Sequence, residues 1–173
     1  MSHREPLAPY HRPPLSKEFL TEPTDIEKIL VRAASHYAER GIGLLLNTTV
    51  VAIDPATKIL STDRAETIAF RQLLIATGAD PCRLSVPGAD LAGIFYLRTF
   101  DRAEAVRSAA KTAKRAVVVG ASFLGLEVTA SLCKKGLAVT VIEKGGYATA
   151  MPTPALMHWT YRIILWMNLN ELG

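Results

Sequence analysis

Two glycines and one acidic residue in the second half of the sequence have the spacing of a nucleotide-binding turn. Gly120 and Gly125 bound the segment GASFLG, which follows three consecutive valines, and Glu143 lies 18 residues after Gly125. A glycine turn that opens a helix presents backbone N–H groups and the positive end of the helix dipole, and both favour a pyrophosphate. The pattern predicts a dinucleotide site, with a purely structural strand-to-helix turn as the alternative.

Each position of this glycine segment has a predicted task. Gly120 permits the tight turn, and Gly125 lets the helix approach the sheet closely. The predicted phosphate donors are the N–H groups at the helix start, those of Ser122, Phe123 and Leu124. Ser122 stands where a middle glycine is usual, so its side chain either crowds the site or donates its hydroxyl to a phosphate oxygen.

Glu143 also indicates which dinucleotide is bound. A carboxylate at this position accepts hydrogen bonds from the ribose hydroxyls of the adenosine half. The same carboxylate repels a 2′-phosphate, so NAD is favoured over NADP. Lys144, the next residue, weakens this preference without reversing it.

The segments around the glycines predict a parallel sheet. Residues 116–119 and 138–142 are apolar and β-branched, and residues 123–135 repeat apolar side chains at helical spacing. A strand, a glycine turn, a helix and a strand in this order form a βαβ unit. A further helix is expected over residues 101–114. The predicted fold class is α/β, a partial, Rossmann-like, doubly wound parallel sheet with an additional small β-rich segment.

The first half of the chain is expected to contain one helix and several short strands. Thr24 begins a capping box, apolar residues at helical spacing follow, and Gly41 ends the predicted helix. The apolar residues 73–76 predict a buried strand that ends in a turn. The other predicted strands cover residues 44–46, 50–53, 58–61 and 67–70.

The C-terminal segment, residues 155–169, is strongly apolar. We predict a helix here that is buried or covered by a partner. Without its neighbours in a sheet, such a helix would expose its apolar side chains and promote association. These side chains are Leu156, Trp159, Ile163, Ile164 and Trp166.

Composition and charge argue against several other functions. The 173 residues are 49% hydrophobic and 21% charged, which suits a globular chain with a packed core. The net charge of +4 comes from scattered basic residues, so nucleic acid is not expected as a partner. No apolar run has the length of a membrane span, and the first twenty residues are polar and Pro-rich, unlike a secretory signal. We therefore expect a cytoplasmic protein that does not contact a membrane.

Cysteine and histidine usage limits the chemistry further. Cys82 and Cys133 are the only cysteines, so the sequence has no disulfide framework, no CxxC redox pair and no four-thiolate zinc site. The four histidines are too far apart to form a recognisable ligand motif, and no metal site is predicted.

A series of short motifs follows in a fixed order along the chain. The segment PYHRPPLSK begins at Pro9, LIATGA begins at Leu74, and VPG, LRT, the glycine segment and VTVIE come after them. This series resembles the FAD-dependent ferredoxin reductase group of the pyridine nucleotide-disulfide oxidoreductase superfamily. The group includes rubredoxin reductases and proteins like apoptosis-inducing factor. The resemblance covers about residues 9–143.

The resemblance implies an activity and a set of cofactor contacts. In this group, two electrons pass as hydride from NADH to FAD and then singly to an iron–sulfur partner protein. The lysine and glutamate that the group pairs beside the flavin correspond to Lys17 and Glu127. Further FAD contacts are implied for Arg12, Thr77 and Gly78. By residue type alone, Lys17 is a solvated loop lysine and Glu127 a first-turn helix acid.

The resemblance also implies that the chain is a partial reductase. Residues 1–98 are predicted to be a partial FAD-binding domain without its N-terminal glycine motif, and residues 99–173 a partial NAD-binding Rossmann domain. The expected function is an NADH-dependent flavoprotein oxidoreductase, or a fragment of one. The alternatives are a non-catalytic module that binds a dinucleotide or a partner, and a disulfide reductase. The lack of a CxxC pair argues against the disulfide reductase.

Overall fold

The structure is a computed structural model that describes residues 2–144 and 164–168. The chain forms two compact units. The first unit comprises Met1–His11 and Asp25–Gly78, and the second comprises Arg12–Thr24 and Ala79–Gly173. The predicted domains, residues 1–98 and 99–173, separate the expected FAD-binding and NAD-binding parts. Their boundary does not coincide with a boundary between the compact units, and this division into domains stays a prediction.

The described elements are short helices and strands, with five strands in a row between the second and third helices. The helices are α1 (Glu18–Thr21), α2 (Ala34–Glu39), α3 (Phe100–Ala109) and α4 (Phe123–Lys134), with 3₁₀ turns at Pro13–Ser16 and Ile26–Ile29. The strands are β1 (Ser2–His3), β2 (Leu45–Leu46), β3 (Val50–Asp54), β4 (Ile59–Thr62), β5 (Thr67–Ala69), β6 (Ile94–Phe95), β7 (Arg115–Val119), β8 (Ala138–Ile142) and β9 (Ile164–Asn168).

The second unit contains the sheet that carries the glycine segment. β7 and β8 are parallel neighbours, with Arg115 opposite Ala138 and Val119 opposite Ile142. α4 connects these two strands, so the predicted βαβ unit is confirmed. β9 pairs antiparallel with β7 and β6, which completes the order β6-β9-β7-β8. The predicted α/β fold class, a partial Rossmann-type sheet, is therefore confirmed.

Helix packing holds the N-terminal segment of the second unit against α4. α4 lies on β7 and β8, and α1 packs against both α3 and α4. Phe19 and Leu20 of α1, Val118 of β7 and Leu132 of α4 are each 0% exposed. Burial of one such side chain contributes about 1.5–3 kcal/mol. Because α1 follows Lys17 directly, this core determines where that lysine lies.

The first unit contains the predicted small β-rich segment, which is confirmed. β3, β4 and β5 form an antiparallel sheet, and β1 pairs with β2 in parallel. At the end of β3, the Asp54 carboxylate accepts hydrogen bonds from the N–H groups of Ala56 and Thr57, at 2.9 and 3.1 Å. The side-chain and backbone hydrogen bonds of Thr57, followed by the backbone bond of Ala56, lower the pKa of Asp54.

The single helix predicted over residues 24–41 is wrong. The 3₁₀ turn at Ile26–Ile29 gives way to extended backbone at Leu30, and α2 begins only at Ala34. Leu30 forms an antiparallel bridge with Tyr10, and two backbone hydrogen bonds of 2.8 Å flank it. These bonds to a distant segment satisfy the backbone polar groups, so the helical spacing of the side chains does not decide the local conformation.

The buried strand predicted over residues 73–76 is also wrong. This run has no regular secondary structure, and Leu74 and Ile75 are 88% and 62% exposed. The run pairs with no other strand among residues 2–144 and 164–168. An extended segment becomes a strand only where a neighbour satisfies its N–H and C=O groups, so apolar composition alone was insufficient.

The helix predicted over residues 155–169 is wrong where the structure describes this segment. Residues 164–168 are β9, which pairs with the whole length of β7, from Val119 opposite Ile164 to Arg115 opposite Asn168. β7 has two edges, and a strand on the second edge satisfies backbone groups that β8 leaves unpaired. The rest of the segment, with Leu156, Trp159 and Ile163 and the predicted association surface, lies outside the described residues.

Candidate functional site

The glycine segment lies where β7 ends and α4 begins. Gly120 has a φ of 110°, a conformation that L side chains rarely adopt. Its N–H donates to the carbonyl oxygen of Ile142 at 2.8 Å, so the ladder between β7 and β8 continues to the turn. The turn is thus tied to the end of β8, and the two parallel strands present their carboxyl ends at one edge of the sheet.

Gly125 packs directly on the backbone of the turn. A Cβ atom at Gly125 would lie 2.0 Å from the carbonyl oxygen of Gly120 and 3.6 Å from a methyl carbon of Val118. No side chain fits at that distance from a backbone atom. The predicted close approach of helix and sheet at Gly125 is therefore confirmed.

The start of α4 presents the N–H groups predicted to bind phosphate. Ser122 is the N-cap residue, with extended backbone. The first hydrogen bond of the helix runs from Leu126 N–H to Ser122 O at 2.9 Å. The N–H groups of Phe123, Leu124 and Gly125 precede that bond, so they lie in the helical turn that has no intrahelical acceptor. The Ser122 hydroxyl makes no capping hydrogen bond to the helix.

Glu143 follows β8 and returns to the glycine turn. Its Oε2 accepts a hydrogen bond from Ala121 N–H at 2.6 Å, and its Oε1 accepts one from Lys144 N–H at 2.7 Å. The carboxylate therefore lies at the edge of the sheet that presents the glycine segment. That Glu143 accepts hydrogen bonds from the ribose hydroxyls stays a prediction.

Lys17 and Glu127 form an ion pair. Lys17 Nζ lies 3.2 Å from Glu127 Oε1, and the two side chains are 45% and 32% exposed. Glu127 lies in the second turn of α4, and Lys17 lies between the Pro13–Ser16 turn and α1. The structure thus brings together two residues that are 110 positions apart and that only the family resemblance had paired.

Two serines at this pair were missed by the sequence analysis. Ser16 Oγ donates to Glu127 Oε2 at 2.6 Å, and Ser131 Oγ donates to the carbonyl oxygen of Ser16 at 2.7 Å. Ser16 and Ser131 are 1% and 6% exposed. The available signal was the spacing of Glu127 and Ser131, which are four residues apart and therefore neighbours on one helix face.

The other predicted flavin contacts lie in two different units. Arg12 begins the second unit, and its Nη1 donates to the carbonyl oxygen of Arg98 at 2.7 Å. Thr77 and Gly78 end the first unit, where Gly78 has a φ of 70°. Arg12 therefore lies in the same unit as Lys17 and Glu127, while the flavin roles of all these residues stay predictions.

No group of three or more His, Cys, Asp or Glu side chains within residues 2–144 and 164–168 is arranged to hold a metal ion. No helix in this part of the chain has the length and apolar character needed to cross a membrane.

A parallel βαβ unit with a glycine turn, a helix N-terminus and an acidic residue at the next strand end defines a nucleotide-binding α/β protein. The family model for pyridine nucleotide-disulphide oxidoreductase matches residues 2–158. The chain belongs to this family.

Curated relatives include a rhodocoxin reductase and a rubredoxin-NAD(+) reductase. The chain is 43% identical to rhodocoxin reductase of Rhodococcus erythropolis over 139 residues, which cover 80% of this chain and 33% of the relative. It is 39% identical to rubredoxin-NAD(+) reductase of Pseudomonas putida over 153 residues, which cover 88% of this chain and 40% of the relative. The chain therefore spans about a third to two fifths of these relatives.

Solved structures of reductases are also similar to this chain. A ferredoxin reductase from Rhodopseudomonas palustris superposes with a TM-score of 0.83 at 35% identity, covering 89% of this chain and 38% of that one. The covalent putidaredoxin reductase–putidaredoxin complex gives a TM-score of 0.81 at 31% identity, covering 88% of this chain and 37% of that one.

Proposed function

We propose that the chain forms the NAD-binding and flavin-facing part of an NADH-dependent flavoprotein oxidoreductase of the ferredoxin or rubredoxin reductase type. The observation that carries this proposal is the ion pair between Lys17 and Glu127. It joins the segment that the family places beside FAD to the helix that follows the glycine turn. In such a protein NADH supplies a hydride, and FAD accepts it and passes electrons singly to an iron–sulfur partner.

The nucleotide half of the site is supported by local geometry. Gly125 lets α4 pack directly on the backbone of the turn at Gly120, and the N–H groups of Phe123 and Leu124 at the helix start are the proposed donors to a diphosphate. Ser122 adds a hydroxyl donor at the same helix start. Glu143 accepts from the ribose and selects NAD through its negative charge.

Lys17 and Glu127 act together in the flavin half. A cation beside the flavin stabilises the negative charge that develops when the flavin is reduced. Glu127 holds the Lys17 ammonium in one place, because the carboxylate is itself on a rigid helix. Arg12, whose Nη1 donates to the carbonyl oxygen of Arg98, is a further proposed FAD contact in the second unit. Thr77 and Gly78 are proposed FAD contacts in the first unit.

The proposed electron acceptor is an iron–sulfur protein, and the proposed compartment is the cytoplasm. Support for the acceptor comes from the relatives, whose names include rubredoxin-NAD(+) reductase and a putidaredoxin reductase in complex with putidaredoxin. Support for the compartment comes from Cys82 and Cys133, which are both free thiols as a reducing environment requires.

Two measurements on the purified 173-residue chain test the proposal. A flavin absorption spectrum after incubation with FAD reports flavin binding, and NADH fluorescence titration reports nucleotide binding. We expect saturable NADH binding, flavin retention and reduction of the flavin by NADH. Saturable NADH binding without flavin or diaphorase activity would favour a non-catalytic dinucleotide-binding module, and no NADH binding by the folded chain contradicts both functions.

A further inference from the structure

The two carboxylate oxygens of Glu127 have different donors. Lys17 Nζ lies 3.2 Å from Oε1, and Ser16 Oγ lies 2.6 Å from Oε2. Consecutive residues, Ser16 and Lys17, therefore hold opposite oxygens of one carboxylate. Of the three side chains, that of Ser16 is the most deeply buried, since the residue is 1% exposed.

The Ser16 hydroxyl has one proton and two acceptors within reach. The carbonyl oxygen of Pro13 lies 3.2 Å from Ser16 Oγ, against 2.6 Å for Glu127 Oε2. An ionised acceptor makes the shorter and stronger bond, so the proton points to the carboxylate. The donor itself lies away from solvent, because Ser16 is almost completely buried.

Ser131 makes a separate hydrogen bond to Ser16. Its hydroxyl donates to the carbonyl oxygen of Ser16 at 2.7 Å rather than to the carboxylate. Glu127 and Ser131 lie one turn apart on α4, so the helix holds Ser16 at two points. Only one of these points touches the ion pair, which makes Ser131 the matched control for Ser16.

We propose that Ser16 is a positioning residue that anchors Oε2 of Glu127 and thereby keeps Oε1 directed at the Lys17 ammonium. Glu127 is 32% exposed, so without this anchor its side chain is free to turn towards solvent. The link to flavin chemistry rests on the proposed function. The contact itself needs no flavin, so it is testable in the chain alone.

The test is a double-mutant cycle between Lys17 and Glu127 in the full 173-residue chain. Lys17→Met, Glu127→Gln and the double variant are unfolded in urea in three backgrounds: unchanged, Ser16→Ala and Ser131→Ala. For a partly exposed pair, we expect coupling of about two- to fivefold in the unfolding equilibrium constant in the unchanged background. We expect this coupling to disappear with Ser16→Ala and to persist with Ser131→Ala.

Each other outcome contradicts the proposal. Coupling that survives Ser16→Ala shows that the hydroxyl does not position the carboxylate, and coupling lost in both serine backgrounds shows general packing rather than a specific anchor. The flavin midpoint potential of the FAD-loaded chain separates the positioning role of Ser16 from the proposed flavin role of Lys17. If Lys17→Met leaves that potential unchanged, the proposed flavin role of Lys17 fails, while the coupling result for Ser16 stands.

Discussion

The Glu143 carboxylate accepts a 2.6 Å hydrogen bond from the N–H of Ala121, which joins the end of β8 to the glycine turn that follows β7. This contact keeps a negative charge at the edge of the sheet where the turn presents its amides. It supports the prediction that Glu143 accepts hydrogen bonds from the ribose hydroxyls of the nucleotide.

Replacement of Glu143 by glutamine tests that role. Glutamine retains an oxygen that can accept from Ala121 N–H but carries no charge, so we expect NADH affinity to fall about tenfold, as for the loss of a charge-assisted hydrogen bond. The preference for NADH over NADPH should fall as well. Fluorescence titration with both nucleotides measures both effects.

Glu104→Gln is the matched control for Glu143→Gln. Glu104 lies on α3 and pairs with Arg107 at 2.5 Å, so its loss changes the net charge equally without touching the turn. Unchanged NADH affinity and unchanged nucleotide preference in Glu143→Gln would show that Glu143 only closes the turn.

Gly125→Ala should destabilise the protein, although alanine normally favours a helix. The helix preference of alanine over glycine is about 1 kcal/mol. The new methyl would lie 2.0 Å from Gly120 O, so α4 must move away from the turn, at a cost of about 1–3 kcal/mol or more. We expect a lower urea midpoint and loss of NADH binding. Gly43→Ala is the control, because a Cβ added at Gly43 would meet nothing within 4 Å, and it should change neither quantity.

Lys17→Met should slow flavin reduction while leaving stability nearly unchanged. The pair with Glu127 is partly exposed, so its contribution to the free energy of unfolding is below about 1 kcal/mol. For hydride transfer from NADH to FAD we expect about a tenfold loss, less than for an enclosed donor because water partly replaces the ammonium. Stopped-flow absorbance of the FAD-loaded chain measures this rate.

Lys134→Met is the matched control for Lys17→Met. Lys134 lies in the last turn of α4, 67% exposed, with its Nζ 3.5 Å from a Glu22 oxygen. Its loss removes one exposed ion pair at the opposite end of the helix. An equal decrease of the rate in both variants would mean that Lys17 acts only through net charge.

The pH dependence of the β3–β4 turn follows from Asp54. Hydrogen bonds from Thr57 and Ala56 hold its pKa below the ordinary value of 3.8. Its stabilising contribution is therefore complete above that value and is lost as the pH falls through the lowered pKa of the folded state. Carboxyl carbon NMR shifts should show a lowered pKa, and Thr57→Val should raise it because the hydroxyl donor is removed. No change in Thr57→Val would contradict the assignment of Thr57 as the main cause.

The local part of the site was predictable from sequence. The three valines, the two glycines of the segment and Glu143 lie within about thirty residues, and the strand, turn, helix and strand between them form the predicted βαβ unit. Each interaction in this unit connects positions that are close in the chain. Side-chain periodicity and glycine positions therefore carried enough information.

Distant interactions were not predictable in this way. Leu30 is extended because the residues on either side of it bond to the neighbours of Tyr10. Residues 73–76 form no strand because none lies beside them in the described part of the chain, and residues 164–168 form a strand because β7 offers an edge. In all three cases the apolar pattern predicted the wrong conformation. What decided the conformation was whether another segment satisfied the backbone polar groups.

The sequence by itself determined the glycine turn, the helix after it and the acidic residue at the next strand end, because these depend on local backbone freedom and on spacing along the chain. The family resemblance paired Lys17 with Glu127, but only the tertiary structure decided that Ser16 shares this carboxylate and that Ser131 holds Ser16 in place. These contacts exist because burial of Phe19 and Leu20 packs α1 against α4. Such packing joins residues more than a hundred positions apart, and no pattern within either segment encodes it.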